Sequence, residues 1–175
     1  MNSKYLLIIG AAPNVGEDIA RFFDMREARN GVDFMLIGFD SVELVSEWCK
    51  YFATYHPSEI QMSKERRHKY GGNTDFMVIS HQQHEGLVNM ILPLVGPSGS
   101  SAMLGTLAGL QMGYEKIILC GCPLNGKNLK GDNYVSFRQG WEDKKNKKAV
   151  LGKVKSMSGW TAELLGAPTE EWLDE

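Results

Sequence analysis

The residues best suited to chemistry in this chain are His56, Asp40, the serine pair Ser100-Ser101 and the small-residue turn from Gly10 to Asn14. A group transfer needs a base to take the acceptor's proton, with a pKa near working pH. His56 stands at a predicted strand end and is the first candidate for that base. It suits nucleotide binding equally well, and a solvent-facing loop histidine also accounts for it. Asp40 ends a second strand, where an acidic side chain reaches a ribose hydroxyl; a helix cap explains it nearly as well. In the turn, Gly10, Ala11 and Ala12 let the backbone approach a ligand. Asn14 suits the N-cap of the following helix, with Glu17 three residues on. Helix N-termini offer unpaired N–H groups and a partial positive charge, and so favour phosphate. Ser100 and Ser101 add hydroxyls at another helix start. The turn from Gly10 is neither a G-x-G-x-x-G fingerprint nor a Walker A loop. A plain strand-to-helix turn, and close packing without a ligand, therefore stay open for the two turns.

Other groups carry weaker signals. His81 and His84 with Glu85 have a spacing that would suit a metal on a helix, but a third ligand is not evident, and surface residues explain them. Cys49, Cys120 and Cys122 form no regular framework, which points to buried structural thiols in a reducing compartment. A lysine-rich stretch (Lys144, Lys145, Lys147, Lys148, Lys153, Lys155) could fold over a pyrophosphate or contact nucleic acid; a solvated helix face is the ordinary explanation. Trp160 and Trp172 read as packing or interface anchors, which leaves a homo-oligomer open.

These residues must be positioned by repeated strand–helix units. Tyr5–Ile9, Phe34–Ile37, Phe76–Ile79 and Lys116–Leu119 are short apolar runs, the mark of strands buried on both faces. Val15, Ile19, Phe22 and Phe23 recur at helical spacing after the first. Ser41 is expected to cap a helix with the stripe Val42, Val45, Cys49 and Phe52. Tyr51 to Tyr55 fits either the end of that helix or a third strand, and Pro57 favours a strand from about Phe52. A polar helix is expected over 58–70 and a small-residue helix over 102–112, in which Gly105 and Gly109 imply close packing on the sheet. Residues 81–99 are irregular. Two short helices, from Ser158 and from Thr169, close the chain. The pattern predicts an α/β, Rossmann-like three-layer domain with a mostly parallel sheet and helices on both faces. It spans 1–175 as one domain, with its core at 4–123 and a C-terminal helical extension over 124–175.

Composition is consistent with this. The chain has 175 residues, 43% hydrophobic and 23% charged, and its net charge of -2 disfavours a general nucleic-acid binder. No run approaches the roughly 20 apolar residues of a membrane span, and the N-terminal apolar run is too short for a signal peptide. A cytoplasmic protein is expected.

The order of motifs resembles the Rossmann-like domain shared by the bacterial family 42 sialyltransferases and the 6-hydroxymethylpterin pyrophosphokinase-like proteins. The opening Gly-x-Gly-Pro-Ser-Leu of that family is matched by Gly10-Ala11-Ala12-Pro13-Asn14-Val15, and its Asn-Pro by His56-Pro57. Its Ser-Gly is matched by Ser100-Ser101, and its Gly-Tyr-x-x-Ile-x-Leu-x-Gly-x-Asp by Gly113-Tyr114-Glu115-Lys116-Ile117-Ile118-Leu119-Cys120-Gly121-Cys122. The ending Ser156-Met157-Ser158-Gly159-Trp160-Thr161 is similar to small uncharacterised bacteriophage proteins, which would place the chain in a host cytoplasm. The resemblance implies a nucleotide site at Gly10, Ala12, Asn14, His56, Ser100 and Ser101, with a nucleotide or nucleotide-sugar as ligand and no tightly bound cofactor. The family aspartate is replaced at Cys122-Pro123, and no histidine follows His84. The expectation is a glycosyltransferase-like transferase with His56 as base. A non-catalytic nucleotide-sequestering protein is the alternative. A diphosphokinase, needing Mg²⁺ held by Asp40 and Asp75, is a further one.

Overall fold

The computed structural model describes residues 4–25, 31–46, 48–93, 100–126 and 134–175. Its centre is a seven-stranded sheet: β1 (Tyr5–Ile9), β2 (Val32–Ile37), β3 (Tyr51–Ala53), β4 (Met77–Ser80), β5 (Met90–Ile91), β6 (Lys116–Cys120) and β7 (Val154–Ser156). All pairings are parallel, in the order β5-β4-β3-β2-β1-β6-β7. Every residue of β1 and of β6 is buried, as their unbroken apolar runs require.

Alternate side chains point to opposite faces, so each face needs its own cover. Leu7, Ile9, Leu36 and Phe52 face α1 (Val15–Met25), α2 (Ile60–Lys69) and, through Leu173, the C-terminal helix α7 (Glu170–Asp174). Leu6, Ile8, Met35 and Leu119 face α3 (Ser101–Gln111), α4 (Arg138–Glu142), α5 (Lys144–Val150) and α6 (Gly159–Leu165). The result is the three-layer α/β, Rossmann-like architecture. Among the described residues no helix is long and apolar enough to cross a membrane.

The two α3 glycines are explained by contact. A Cβ at Gly105 would come within 2.7 Å of Met35 Sδ, and one at Gly109 within 2.7 Å of Leu6 Cδ2. The helix axis lies close to the sheet because neither residue has a side chain.

The helix expected after Ser41 is absent. The chain makes a single 3-10 turn (Phe39–Ser41), and the described residues 42–46 and 48–50 that follow are not helical. Arg67, buried at 1% exposure on α2, donates to Val42 O at 3.0 Å and Val45 O at 2.6 Å. Asn73 exchanges two bonds with the Cys49 backbone, at 2.9 and 2.7 Å. Side chains from beyond the segment thus supply the partners that helical hydrogen bonds would have supplied, while Val42, Val45 and Cys49 still reach the core.

The segment expected as a helical extension also adds a strand. β7 pairs with β6 and closes that side of the sheet, and Ser156 N donates to Gly166 O at 3.1 Å. The helix at the serine-rich ending begins at Gly159, and Thr169 caps α7 by accepting from Trp172 N at 3.2 Å.

Candidate functional site

The chain order reverses at β1, which lies between β2 and β6. In open parallel sheets ligands bind at such a switch point, beyond the carboxyl ends of the strands. A cavity of about 510 Å³ opens there. Its floor is Gly10-Ala11 and Gly121-Cys122; one wall holds Phe39, Asp40, His56 and Glu59, and the start of α3 supplies Ser100, Ser101 and Ala102. Its volume falls within the usual 300–1,000 Å³ or so of small-molecule sites.

The anticipated residues divide into two groups. Gly10, Asp40, His56, Ser100 and Ser101 line this cavity together; Ala12 and Asn14 do not. The Ala12 amide donates back to Gly121 O at 3.2 Å. Asn14 Nδ2 donates to Ser158 Oγ at 2.7 Å and lies 3.3 Å from Asp18 Oδ2. Asp18 is buried and accepts from Ser158 Oγ at 2.7 Å and from Gly121 N at 2.8 Å. The start of α1 is therefore tied to the C-terminal segment and to the β6 turn. Gly10 has no side chain because a Cβ there would overlap Gly121 O and lie 2.7 Å from Cys122 Sγ. Its smallness serves strand packing as well as the cavity floor.

The start of α3 is differently arranged. Ser100, nearly buried, occupies the N-cap position and makes no side-chain cap bond, so its hydroxyl does not fill the first-turn N–H groups. Ser101 Oγ accepts from Tyr55 N at 3.2 Å. That bond fixes the oxygen of a side chain that lines the cavity.

Asp40 stands on the 3-10 turn after β2, with Arg66 Nη1 at 3.7 Å. Arg66 bonds mainly to Glu43, with Nη2 and Nε each 2.8 Å from a carboxylate oxygen, and its guanidinium lies 4.5 Å above the Phe39 ring. The hydrogen bond from Arg66 holds the Glu43 carboxyl below its ordinary range and raises the Arg66 pKa in turn. Arg66 thus stands near Asp40 at a distance longer than a hydrogen bond. His56 is exposed at the cavity mouth, held by its backbone N–H to Thr54 Oγ1 at 2.9 Å.

Sequence reading missed Glu59, Phe39, Tyr134 and Phe137, which also line the cavity. Glu59 was legible in principle, because Pro57 starts a 3-10 turn that brings it back beside His56. Tyr134 and Phe137 come from the far C-terminal segment and had no local signal.

The remaining candidates lie elsewhere. His81 follows β4, with its ring 5.4 Å from that of Tyr55, and does not line the cavity. His84 and Glu85 sit on a turn with positive φ at Glu85 (49°) and Gly86 (75°), so the helical spacing read for a metal pair does not exist. Among the described residues no three His, Cys, Asp or Glu side chains converge to hold a metal. Asp75 precedes β4, at the opposite sheet edge from Asp40, and contacts Asn73. None of the lysines from Lys144 to Lys155 lines the cavity; Lys145 and Lys153 border a separate groove beside Leu107 and Leu110.

All three cysteines are buried thiols outside any disulfide. Burial, with the Asp18 charge nearby, pushes the Cys122 thiol up to about 12, and Cys120 is raised for the same reasons. The thiols stay protonated at neutral pH and are poor nucleophiles. Iodoacetamide at mildly alkaline pH is therefore expected to leave Cys120 and Cys122 unmodified in the native protein and to label both in guanidinium. Rapid native labelling, read by mass spectrometry, would contradict this packing.

The ending Ser156–Thr161 buttresses the wall of the cavity. Thr161 Oγ1 donates to Cys122 O at 2.8 Å, and Trp160 N donates to Asn125 Oδ1 at 3.0 Å. Gly159 (φ 70°) lies so close to Pro123 that a Cβ would overlap it. Comparison with known proteins found no matching family model, curated protein or solved structure.

Proposed function

We propose that this chain binds a nucleotide in the switch-point cavity and acts as a glycosyltransferase-like transferase on a nucleotide-activated donor. One observation carries the reading: the Gly10-Ala11 turn, Asp40 and the start of α3 line one cavity. Asp40 would accept from ribose hydroxyls, and Ser101 with the α3 amides would hold phosphate. His56 would take the acceptor's proton while the new bond forms at the sugar's anomeric carbon. The bond from that carbon to phosphate breaks, and the departing nucleotide's negative charge would be stabilised by the α3 N-terminus. Such a protein would work in the cytoplasm, a host's if phage-encoded.

Titration calorimetry with nucleoside mono- and diphosphates tests this. Ser101→Ala is expected to weaken binding about tenfold, the scale of one hydrogen bond to an anion. Asp40→Asn is expected to weaken nucleotide binding while leaving inorganic phosphate unaffected. Lys148→Ala, outside the cavity, should change nothing. Unaltered affinity in both site variants would place the nucleotide elsewhere.

A non-catalytic, nucleotide-sequestering protein is favoured by a separate observation. At the end of β6 the side chain facing the cavity is Cys122, a neutral thiol, rather than a carboxylate. Tight binding with no hydrolysis or transfer of any donor supports this second reading. The diphosphokinase reading gains no support from Asp75, which precedes β4 while Asp40 follows β2.

A further inference from the structure

The two ends of the cavity differ in chemistry. At the β2 side lie Phe39 and Asp40; at the β6 side, past Leu124, lie Tyr134 and Phe137. β2 and β6 flank β1, so their ends stand about 10 Å apart by ordinary sheet spacing. A ribose held at Asp40 does not reach the far wall. A ligand that fills the cavity needs a second group there.

That wall is an aromatic surface. The Tyr134 and Phe137 rings are 5.9 Å apart and tilted by 35°. Both are half-buried, packed against the core on one side and lining the cavity on the other. They ride on a 3-10 turn (Tyr134–Phe137) that is firmly braced. Tyr134 N donates to Gly126 O at 3.1 Å, and Arg138 Nε and Nη2 both donate to Leu124 O, at 3.0 and 2.9 Å. The Arg138 guanidinium in turn lies 4.8 Å from the Trp160 ring. A braced ring face bordering a cavity loses little entropy when a second ring stacks on it.

We propose that Tyr134 and Phe137 form the platform for the second group of the ligand, a ring with an apolar face such as a pyranose. The inference rests on the nucleotide reading and extends it: the preferred ligand has a nucleoside at Asp40, phosphate at the α3 start and a sugar ring on the platform. Specificity for the transferred group then resides in the C-terminal segment, and affinity for the nucleotide in the strand ends.

The test compares UDP with UDP-glucose, GDP with GDP-mannose, and CMP with its sialic acid conjugate, by calorimetry on the full chain. At least one conjugate is expected to bind about tenfold more tightly than its nucleotide, as one stacked ring contributes elsewhere. Phe137→Leu and Tyr134→Leu keep apolar volume but remove the ring face. Each should abolish most of that preference while leaving the nucleotide Kd within about twofold. Thermal melts check that the variants fold. A preference untouched by both variants, a wild type without preference, or equal losses for nucleotide and conjugate would overturn the platform alone, provided Ser101→Ala still weakens the nucleotide. Failure of every nucleotide to bind would overturn the platform and the nucleotide reading together.

Discussion

Arg67→Met is expected to lower the free energy of unfolding by about 4 kcal/mol, measured by urea denaturation. The guanidinium is buried at 1% exposure and bonds to Val42 O, Val45 O and the Asn73 carbonyl. Methionine fills much of the space but donates nothing. Each carbonyl left dry and unpaired costs about 1–3 kcal/mol. Relief from desolvating the cation offsets part of that sum, which is why the expected loss is below the total. Arg67→Lys keeps the charge but lacks the planar fork, so an intermediate loss is expected. Faster amide exchange at Cys49 and Lys50 should accompany both, because Arg67 holds the carbonyls of Val42 and Val45 just before them. A loss under about 1 kcal/mol for the methionine variant would show that this stretch is held by something else.

Gly10→Ala is expected to cost about 3 kcal/mol or more, with much of the protein insoluble on expression. The added methyl would overlap Gly121 O and press on Cys122 Sγ at 2.7 Å. Neither backbone can retreat. Gly10 N donates to Cys120 O at 2.8 Å, and Gly121 N is tied to Asp18 at 2.8 Å. Gly121 is itself confined, since it adopts φ 65° and its Cβ position lies 2.7 Å from Val15 Cβ. Gly16→Ala is the matched control. It adds the same methyl in α1, where nothing lies within 4 Å, and should be neutral or stabilise by up to about 1 kcal/mol. Equal melting temperatures for the two variants would remove the steric account of the Gly10–Gly121 contact.

Much of this architecture was legible because its causes are local. Apolar runs of four or five residues bounded by glycine and polar turns marked β1, β2, β4 and β6. Glycines at 105 and 109 announced a helix lying against the sheet. The carboxyl edge followed from parallel strands, and with it the neighbourhood of Gly10, Asp40, His56, Ser100 and Ser101. Asn14 shows the boundary. Its type suited a helix start, and α1 does begin at Val15; yet its side chain meets Ser158, 144 residues away. The stripe Val42, Val45, Cys49 misled for a related reason. Those residues are buried as the pattern demanded, but the hydrogen bonds that shape their backbone come from Arg67 and Asn73.

Residue order alone settled which segments must be covered on both faces, where the chain turns, and therefore that a parallel sheet with helices on either side would form. Burial of apolar runs and the backbone freedom of glycine act over a few residues, so they can be read in one dimension. Folding in three dimensions settled which small residues touch one another, which polar groups are consumed in holding the chain together, and which aromatic rings reach the cavity. Those outcomes depend on pairs separated by some twenty residues (Arg67 and Val45) to well over a hundred (Asn14 and Ser158), whose meeting is decided by how the layers stack.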